Sequence, residues 1–378
     1  MTQLRVVIDN LFDADPSGVT RYTTEITRAL IRTAENGDSV TGVIASHPQQ
    51  LISRLEAQLP GLDRLIRLPA SSSQLALAWN MGIPPRLLSD GTTHSPTMLA
   101  PFFSHNRLLE PGVQTVVTLH SGAIWTAPET LSRRERMRIG RLLKLTERYA
   151  DAIVVTHHEL AHLVDQNTRM GDRVQVVPVS PSRHLVARGS VAGRARELGY
   201  PDRFLIAFAS ERPASLRLLL AAYAQAQIDE PLLLIGRQDP GQTPASRIIA
   251  DSGLNADQVR LLGEVDDEAL AVLNTRANAL VYLGDADALG LPLFDAMVAR
   301  TPVIYPESES LLEVTGGAGL GVPLEGSSLV DGMAAAMRTV VTDKEAVKRL
   351  GQEGADRARS FTWEDSARAI WALHRSLT

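Results

Sequence analysis

The sequence predicts an α/β protein built from two doubly wound, Rossmann-like domains. Three observations carry that expectation. The chain has 378 residues, about twice an ordinary domain at roughly 100–200 residues each. Short β-branched runs alternate with helical patterns from end to end, which is the order of βαβ units and parallel sheets. A stretch without large apolar residues then divides the alternation into two series near residue 190.

In the first series the strand runs fall at 5–8, 40–44, 115–119, 152–156 and 174–178. Helical patterns occupy 18–32, 48–58 and 131–150 between them. In the second series strands read at 204–208, 231–235, 259–262, 278–283 and 302–305, and helices at 215–228, 266–277, 291–299 and 329–341. The strands are apolar without strict alternation, as expected where helices cover both faces of a sheet. Residues 180–203 are basic, small and poor in large apolar groups. The expected organisation is therefore a first domain over 1–182, a linker over 183–203 and a second domain over 204–358. Residues 359–378 open with Thr362 three positions before Asp365, a capping-box spacing, and carry Trp363, Ile370, Trp371 and Leu373. They read as a terminal helix that packs its apolar face back on the first domain.

Composition excludes several classes. The chain is 44% hydrophobic and 21% charged with net charge −5, so no global basic field points to nucleic acid. Cysteine is absent, which removes disulfides, a thiol nucleophile and a Cys-ligated zinc. The amino-terminal apolar run is short and closed by Asp9 and Asp13, unlike a signal peptide. No run approaches 18 apolar residues, so a cytoplasmic location is expected. Residues 131–150 are strongly basic, with Met137, Ile139, Leu142, Leu143 and Leu145 as their apolar positions. A core-packed helix with a solvated cationic face is the first reading, and peripheral contact with anionic lipid at the inner face of the membrane the second.

Three short motifs invite chemistry. His158-Glu159-Leu160-Ala161-His162 matches the HExxH zinc pattern, but no third ligand follows at a suitable spacing, and the segment reads as an ordinary helix start after a strand. Asp285-Ala286-Asp287 and Asp13-Ala14-Asp15 have the DxD spacing that holds a hard cation, in stretches that read as loops. The glycines of residues 316–321 do not fit G-x-G-x-x-G, and no Walker loop occurs.

A longer constellation covers residues 252–314. The run includes Leu262-Gly263-Glu264-Val265, Asp267-Glu268-Ala269-Leu270, Asp287-Ala288-Leu289-Gly290-Leu291-Pro292, Asp295-Ala296-Met297 and Thr301-Pro302-Val303. It resembles the donor-binding half of family-4 glycosyltransferases, retaining enzymes of the GT-B fold, whose pattern contains E-G-F-G-L-P-x-x-E-A-M-A-x-G-T-P-V. Earlier segments are similar in the same order: Ser17-Gly18-Val19-Thr20-Arg21-Tyr22 to the family's glycine loop and first helix, Val116-Val117-Thr118-Leu119-His120 to V-V-T-x-H-D, and Val176-Val177-Pro178 to the end of its first domain.

The resemblance implies transfer of a hexose-type sugar from a UDP- or GDP-sugar in a central cleft, with no metal and no further cofactor. It implies a glycan, lipid-linked or small-molecule acceptor. By that analogy His120 and Asp287 serve the reacting sugar as the catalytic pair, and Gly290 and Leu291 open a helix whose N–H groups face the diphosphate. Asp295 takes the ribose hydroxyls, and Gly18 approaches the diphosphate or the acceptor. The motifs are degenerate: aspartates replace both of the family's glutamates, Ala288 a glycine, and Ser121 an aspartate. The family's Arg and Lys after the first strand of the second domain are absent from Ala209-Ser210-Glu211-Arg212-Pro213-Ala214-Ser215, leaving Arg212 or Arg217 as replacements. Two lost charge-assisted bonds would cost roughly 10²–10⁴-fold in donor binding or rate. The alternative expectation is therefore a catalytically degenerate GT-B protein that binds or stabilises an active partner.

Overall fold

The computed structural model describes residues 2–13, 17–107, 109–110, 112–182, 189–209, 213–236, 245–284, 289–324 and 329–377. The chain divides into two compact units, one of Met1–Val179 with Thr362–Thr378 and one of Ser180–Phe361.

The first unit runs β1 (Gln3–Val7), α1 (Gly18–Thr33), β2 (Ser39–Ile44), α2 (Gln49–Gln58), β3 (Arg64–Arg67), α3 (Ser72–Asn80), β4 (Thr92–Ser95), β5 (Gln114–Leu119), α4 (Ala123–Thr126), α5 (Arg133–Tyr149), β6 (Ala152–Val155), α6 (His158–Asn167) and β7 (Val174–Val176). Its strands form one parallel sheet in the order β3-β2-β1-β4-β5-β6-β7. The order reverses between β1 and β4, so a crevice opens outside their carboxyl ends. Every residue of β5 and β6 is buried, because helices cover both faces. On one side Phe102, Val117, Ile153, Leu160 and Val164 pack together, and on another Val7, Val43, Leu75 and Trp79. At Gly42 in β2, any side chain would meet Ile8 Cδ1 at 2.6 Å and Leu65 Cδ2 at 2.7 Å.

β4 differs in kind from the other central strands. Thr92, Thr93, His94 and Ser95 are all polar and all buried between β1 and β5.

The second unit runs α7 (Val191–Glu197), β8 (Leu205–Phe208), α8 (Pro213–Ala226), β9 (Leu232–Ile235), α9 (Ala245–Asp251), β10 (Val259–Gly263), α10 (Asp267–Arg276), β11 (Ala279–Val281), α11 (Leu291–Val298), β12 (Val303–Pro306), α12 (Glu309–Thr315), β13 (Leu320–Val322), α13 (Leu329–Thr342) and α14 (Lys344–Ala358). Its parallel sheet has the order β10-β9-β8-β11-β12-β13, reversing between β8 and β11. Leu205, Leu219, Leu232, Val281, Ile304 and Met337 belong to one continuous core. Within the stretch expected as linker, Ser190 caps α7 by accepting from Gly193 N at 3.2 Å, and α7 packs against α10.

Helix α15 (Trp363–Ser376) belongs to the first unit. Its cap is Thr362, which accepts from Asp365 N at 3.1 Å. Trp363, Ile370 and Trp371 are buried against Tyr22, Ile26 and Leu30 of α1. Trp371 Nε1 donates to Leu30 O at 3.2 Å, and Ser366 Oγ to Pro178 O at 2.7 Å. His374 meets His94 of β4 edge-on, 5.6 Å between ring centres, and its Nδ1 lies 3.1 Å from Gln114 Oε1. Among the described residues no helix is long and apolar enough to cross a membrane.

Candidate active site

In the first unit the carboxyl rim of the sheet gathers side chains from four strands. His120 follows β5 directly, and its Nε2 lies 2.7 Å from Pro96 O. A carbonyl only accepts, so Nε2 carries the proton and Nδ1 presents a lone pair. That Nδ1 is buried without a partner among the described residues. The ring stands edge-on to Tyr22, 4.7 Å between centres. Burial pushes the imidazole pKa down to about 4, against the smaller pull of the Pro96 carbonyl. His120 is therefore a neutral hydrogen-bond acceptor at physiological pH and a poor proton donor.

Tyr22 lies on the second turn of α1, so this contact brings the start of α1 beside His120. Ser17 caps that helix by accepting from Thr20 N at 3.3 Å, while Thr20 Oγ1 accepts from Ser17 N at 3.3 Å. Gly18 is the first residue of α1.

Next to it lies a group that sequence reasoning did not single out. Asp9, just past β1, accepts from Ala45 N at 2.7 Å and lies 2.8 Å from His47 Nε2 through the same oxygen. His47, just past β2, stacks on Phe12 with ring centres 3.7 Å apart. Burial and the neighbouring Asp9 charge raise the pKa of Asp13. Asp9 and His47 lie in the segments that leave the carboxyl ends of β1 and β2, and the parallel pairing of those strands brings them together.

In the second unit Gly290 caps α11 in the left-handed conformation, φ 64°. A side chain there would also meet Val314 Cγ2 at 3.0 Å, so the position favours glycine twice over. Leu291 and Pro292 form the first turn, and among the described residues no side chain caps it. The amide of Leu291 thus faces outward at the positive end of the helix dipole, which suits an anion. Asp295 lies one turn further, 5% exposed. α11 packs against α14, and just past α14 Phe361 meets Phe294 at 4.9 Å while Arg357 covers Phe361 at 4.5 Å.

β8 and β11 are neighbours, with Ala207 opposite Val281, so the segments leaving them emerge side by side. Arg217 is exposed on the second turn of α8, the helix that follows β8. Arg212 and Asp287 lie in those same segments and outside the described residues.

Within the first unit it is Tyr22, four residues after Gly18, that meets His120, and in the second Gly290 caps the helix that carries Leu291 and Asp295. The HExxH histidines, His158 and His162, are both exposed on α6. Among the described residues no three His, Asp or Glu side chains form a metal-holding group.

The sequence pattern of the family described as glycosyl transferases group 1 matches residues 202–357. The chain is 24% identical over 264 residues to an O-antigen chain mannosyltransferase B of Escherichia coli, covering 67% of this chain and 68% of that protein. It is 27% identical over 250 residues to a D-inositol 3-phosphate glycosyltransferase of Corynebacterium efficiens, covering 61% of this chain and 57% of that one. Among solved structures, Anabaena HepE in complex with UDP and glucose superposes over 100% of both chains with TM-score 0.75 at 15% identity, a likeness of fold. Residues 202–357 thus carry the glycosyl transferases group 1 pattern, and the chain has the two parallel-sheet, Rossmann-like domains of GT-B glycosyltransferase structures.

Proposed function

We propose that this protein is a retaining family-4 hexosyltransferase that takes a sugar from a nucleoside-diphosphate donor, UDP- or GDP-linked, and passes it to a glycan, lipid-linked or small-molecule acceptor. The observation that carries the reading is the uncapped mouth of α11, forced open by a left-handed Gly290 at the reversal point of the second sheet, with Asp295 buried one turn away. An anionic diphosphate at that mouth gains the Leu291 amide and the helix dipole, and Asp295 accepts from the ribose hydroxyls. The Escherichia coli relative's name as an O-antigen mannosyltransferase and the UDP and glucose in the HepE complex support the same donor and acceptor classes.

In the transfer, the bond from the sugar's anomeric carbon to the phosphate oxygen breaks and one to the acceptor oxygen forms. The acceptor's proton leaves with the departing nucleoside diphosphate. His120 Nδ1 accepts from a donor-sugar hydroxyl, Asp287 holds others, and Arg212 or Arg217 neutralises the charge growing on the phosphate. Gly18, at the start of α1, lets the backbone approach the diphosphate or the acceptor. No metal takes part in this scheme. Binding only to the folded state must stabilise it, by about 2.7 kcal/mol at 100 times Kd. UDP or GDP should therefore raise the melting temperature, and Asp295→Ala should abolish the shift.

A second reading, a binding partner with lost activity, is favoured by one observation: Ala214 rather than a cation occupies the first turn of α8. Absence of any nucleotide-induced shift at millimolar concentration would select it and overturn the first.

A further inference from the structure

Two unusual surface features of the first domain meet along one side of α5. Arg134, Arg138, Arg141, Leu145 and Arg148 follow at spacings of four, three, four and three, so they stand in one row on the helix. The buried positions, Leu142 and Thr146, lie to one side of that row. Residues 133–138 are all exposed, so the first turns of α5 carry their cations into solvent. Arg133, Arg134, Arg136, Arg141 and Lys144 form no ion pair with any described residue. Like charges at these spacings weaken a helix, and cations in its first turn oppose the dipole. The row does not serve the stability of α5.

Beside it lies an apolar edge. Leu77, Met81, Ile83 and Leu87, in and after α3, are 54–61% exposed. α3 packs against α5, and a Cβ at Gly82 would stand 3.1 Å from Leu145 Cδ2. The apolar edge therefore adjoins the arginine row at Leu145, and Met137, 61% exposed, adds an apolar group further along α5.

We propose that this face docks on the surface of an anionic phospholipid bilayer, with the arginines on lipid phosphates and the α3 edge in the headgroup–acyl boundary. Nucleic acid would satisfy the cations and leave four large apolar side chains in water. A bilayer supplies phosphate directly above hydrocarbon and so matches both features. The proposal is independent of the sugar-transfer reading.

The test is co-sedimentation of the full chain with phosphatidylcholine vesicles, with and without phosphatidylglycerol. The protein should bind only the anionic vesicles, and less as salt rises. Removing a cation costs about fivefold in binding, so a triple Arg134→Gln, Arg138→Gln, Arg141→Gln variant should lose on the order of 10²-fold. Leu77→Ser with Ile83→Ser should weaken binding without changing its salt dependence. All five positions are exposed, so melting temperature and any nucleotide-induced shift should stay as in the parent, which separates this outcome from a failure of the donor site. No binding to anionic vesicles at low salt, or undiminished binding by the triple variant, would overturn the proposal. So would equal binding to double-stranded DNA that the two serine substitutions leave unchanged, since the site would then be a general polyanion surface.

Discussion

Acidification should unfold the first domain well before the second, because it buries histidines that must stay neutral. Burial lowers the pKa of His94 to about 3 and of His120 to about 4. It holds His374 well below its ordinary value too, with the nearby His94 adding to the effect. Unfolded histidine titrates near 6.5, so the native state binds fewer protons than the unfolded one. The stability these groups contribute is fully present above pH 6.5 and is lost as pH falls toward their folded values. At pH 5 linkage gives about 2 kcal/mol for His94 and about 2 kcal/mol for His120, a large part of the 5–15 kcal/mol a domain possesses. The chain's four tryptophans, Trp79, Trp125, Trp363 and Trp371, all lie in the first unit. Urea unfolding followed by tryptophan fluorescence therefore reads that unit alone. Between pH 8 and pH 5 its stability should fall by at least about 4 kcal/mol, and His94→Leu should remove about half of that fall. A His94→Leu variant that loses as much stability on acidification as the parent would refute the reasoning.

Other perturbations reach the site and its scaffold. Gly290→Ala forces a left-handed alanine and crowds Val314, so it should cost about 1–2 kcal/mol and weaken nucleotide-induced stabilisation more than it lowers the melting temperature. With its pKa near 4, His120 stays neutral from pH 5 to 8. The kcat/KM profile should show no ionisation near 6.5, and a limb there that disappears in His120→Gln would contradict the assignment. If Arg217 neutralises the leaving phosphate, Arg217→Ala should lower kcat by roughly 10–10²-fold without moving the melting temperature, since the side chain is exposed; an unchanged kcat would assign that task elsewhere. Trp371→Ala should destabilise the first domain by about 3–5 kcal/mol, read as a lower urea midpoint.

Much of this architecture is legible in the sequence where burial is symmetrical. Val116-Val117-Thr118-Leu119 and Ala152-Ile153-Val154-Val155 announce central strands because both of their faces are buried, which makes them continuous apolar runs. β4 escapes the same reading. Thr92-Thr93-His94-Ser95 is as buried as its neighbours yet polar throughout: Ser95 Oγ donates to Leu99 O at 2.8 Å, while both ring nitrogens of His94 are buried without a hydrogen-bond partner among the described residues. β3 is an edge strand whose arginines reach solvent. α14 is hidden by Gly351 and Gly354, which look like helix breakers. They are there for approach: a side chain at Gly351 would strike Arg300 O, and one at Gly354 would press on Met297 at 3.3 Å.

The site divides in the same way. Gly290 and Leu291 are readable because their geometry is local, a left-handed residue opening a helix. Asp9, His47 and Phe12 are not, because they meet only once β1 and β2 lie side by side.

The placement of α15 bears on how this chain emerges from the ribosome. The amino-terminal Rossmann unit keeps Tyr22, Ile26 and Leu30 waiting for Trp363 and Trp371, which are translated only after the whole of the other unit. Vectorial synthesis therefore favours the later-made unit as the first to reach its native state. The earlier one stays open along α1 until α15 has been made.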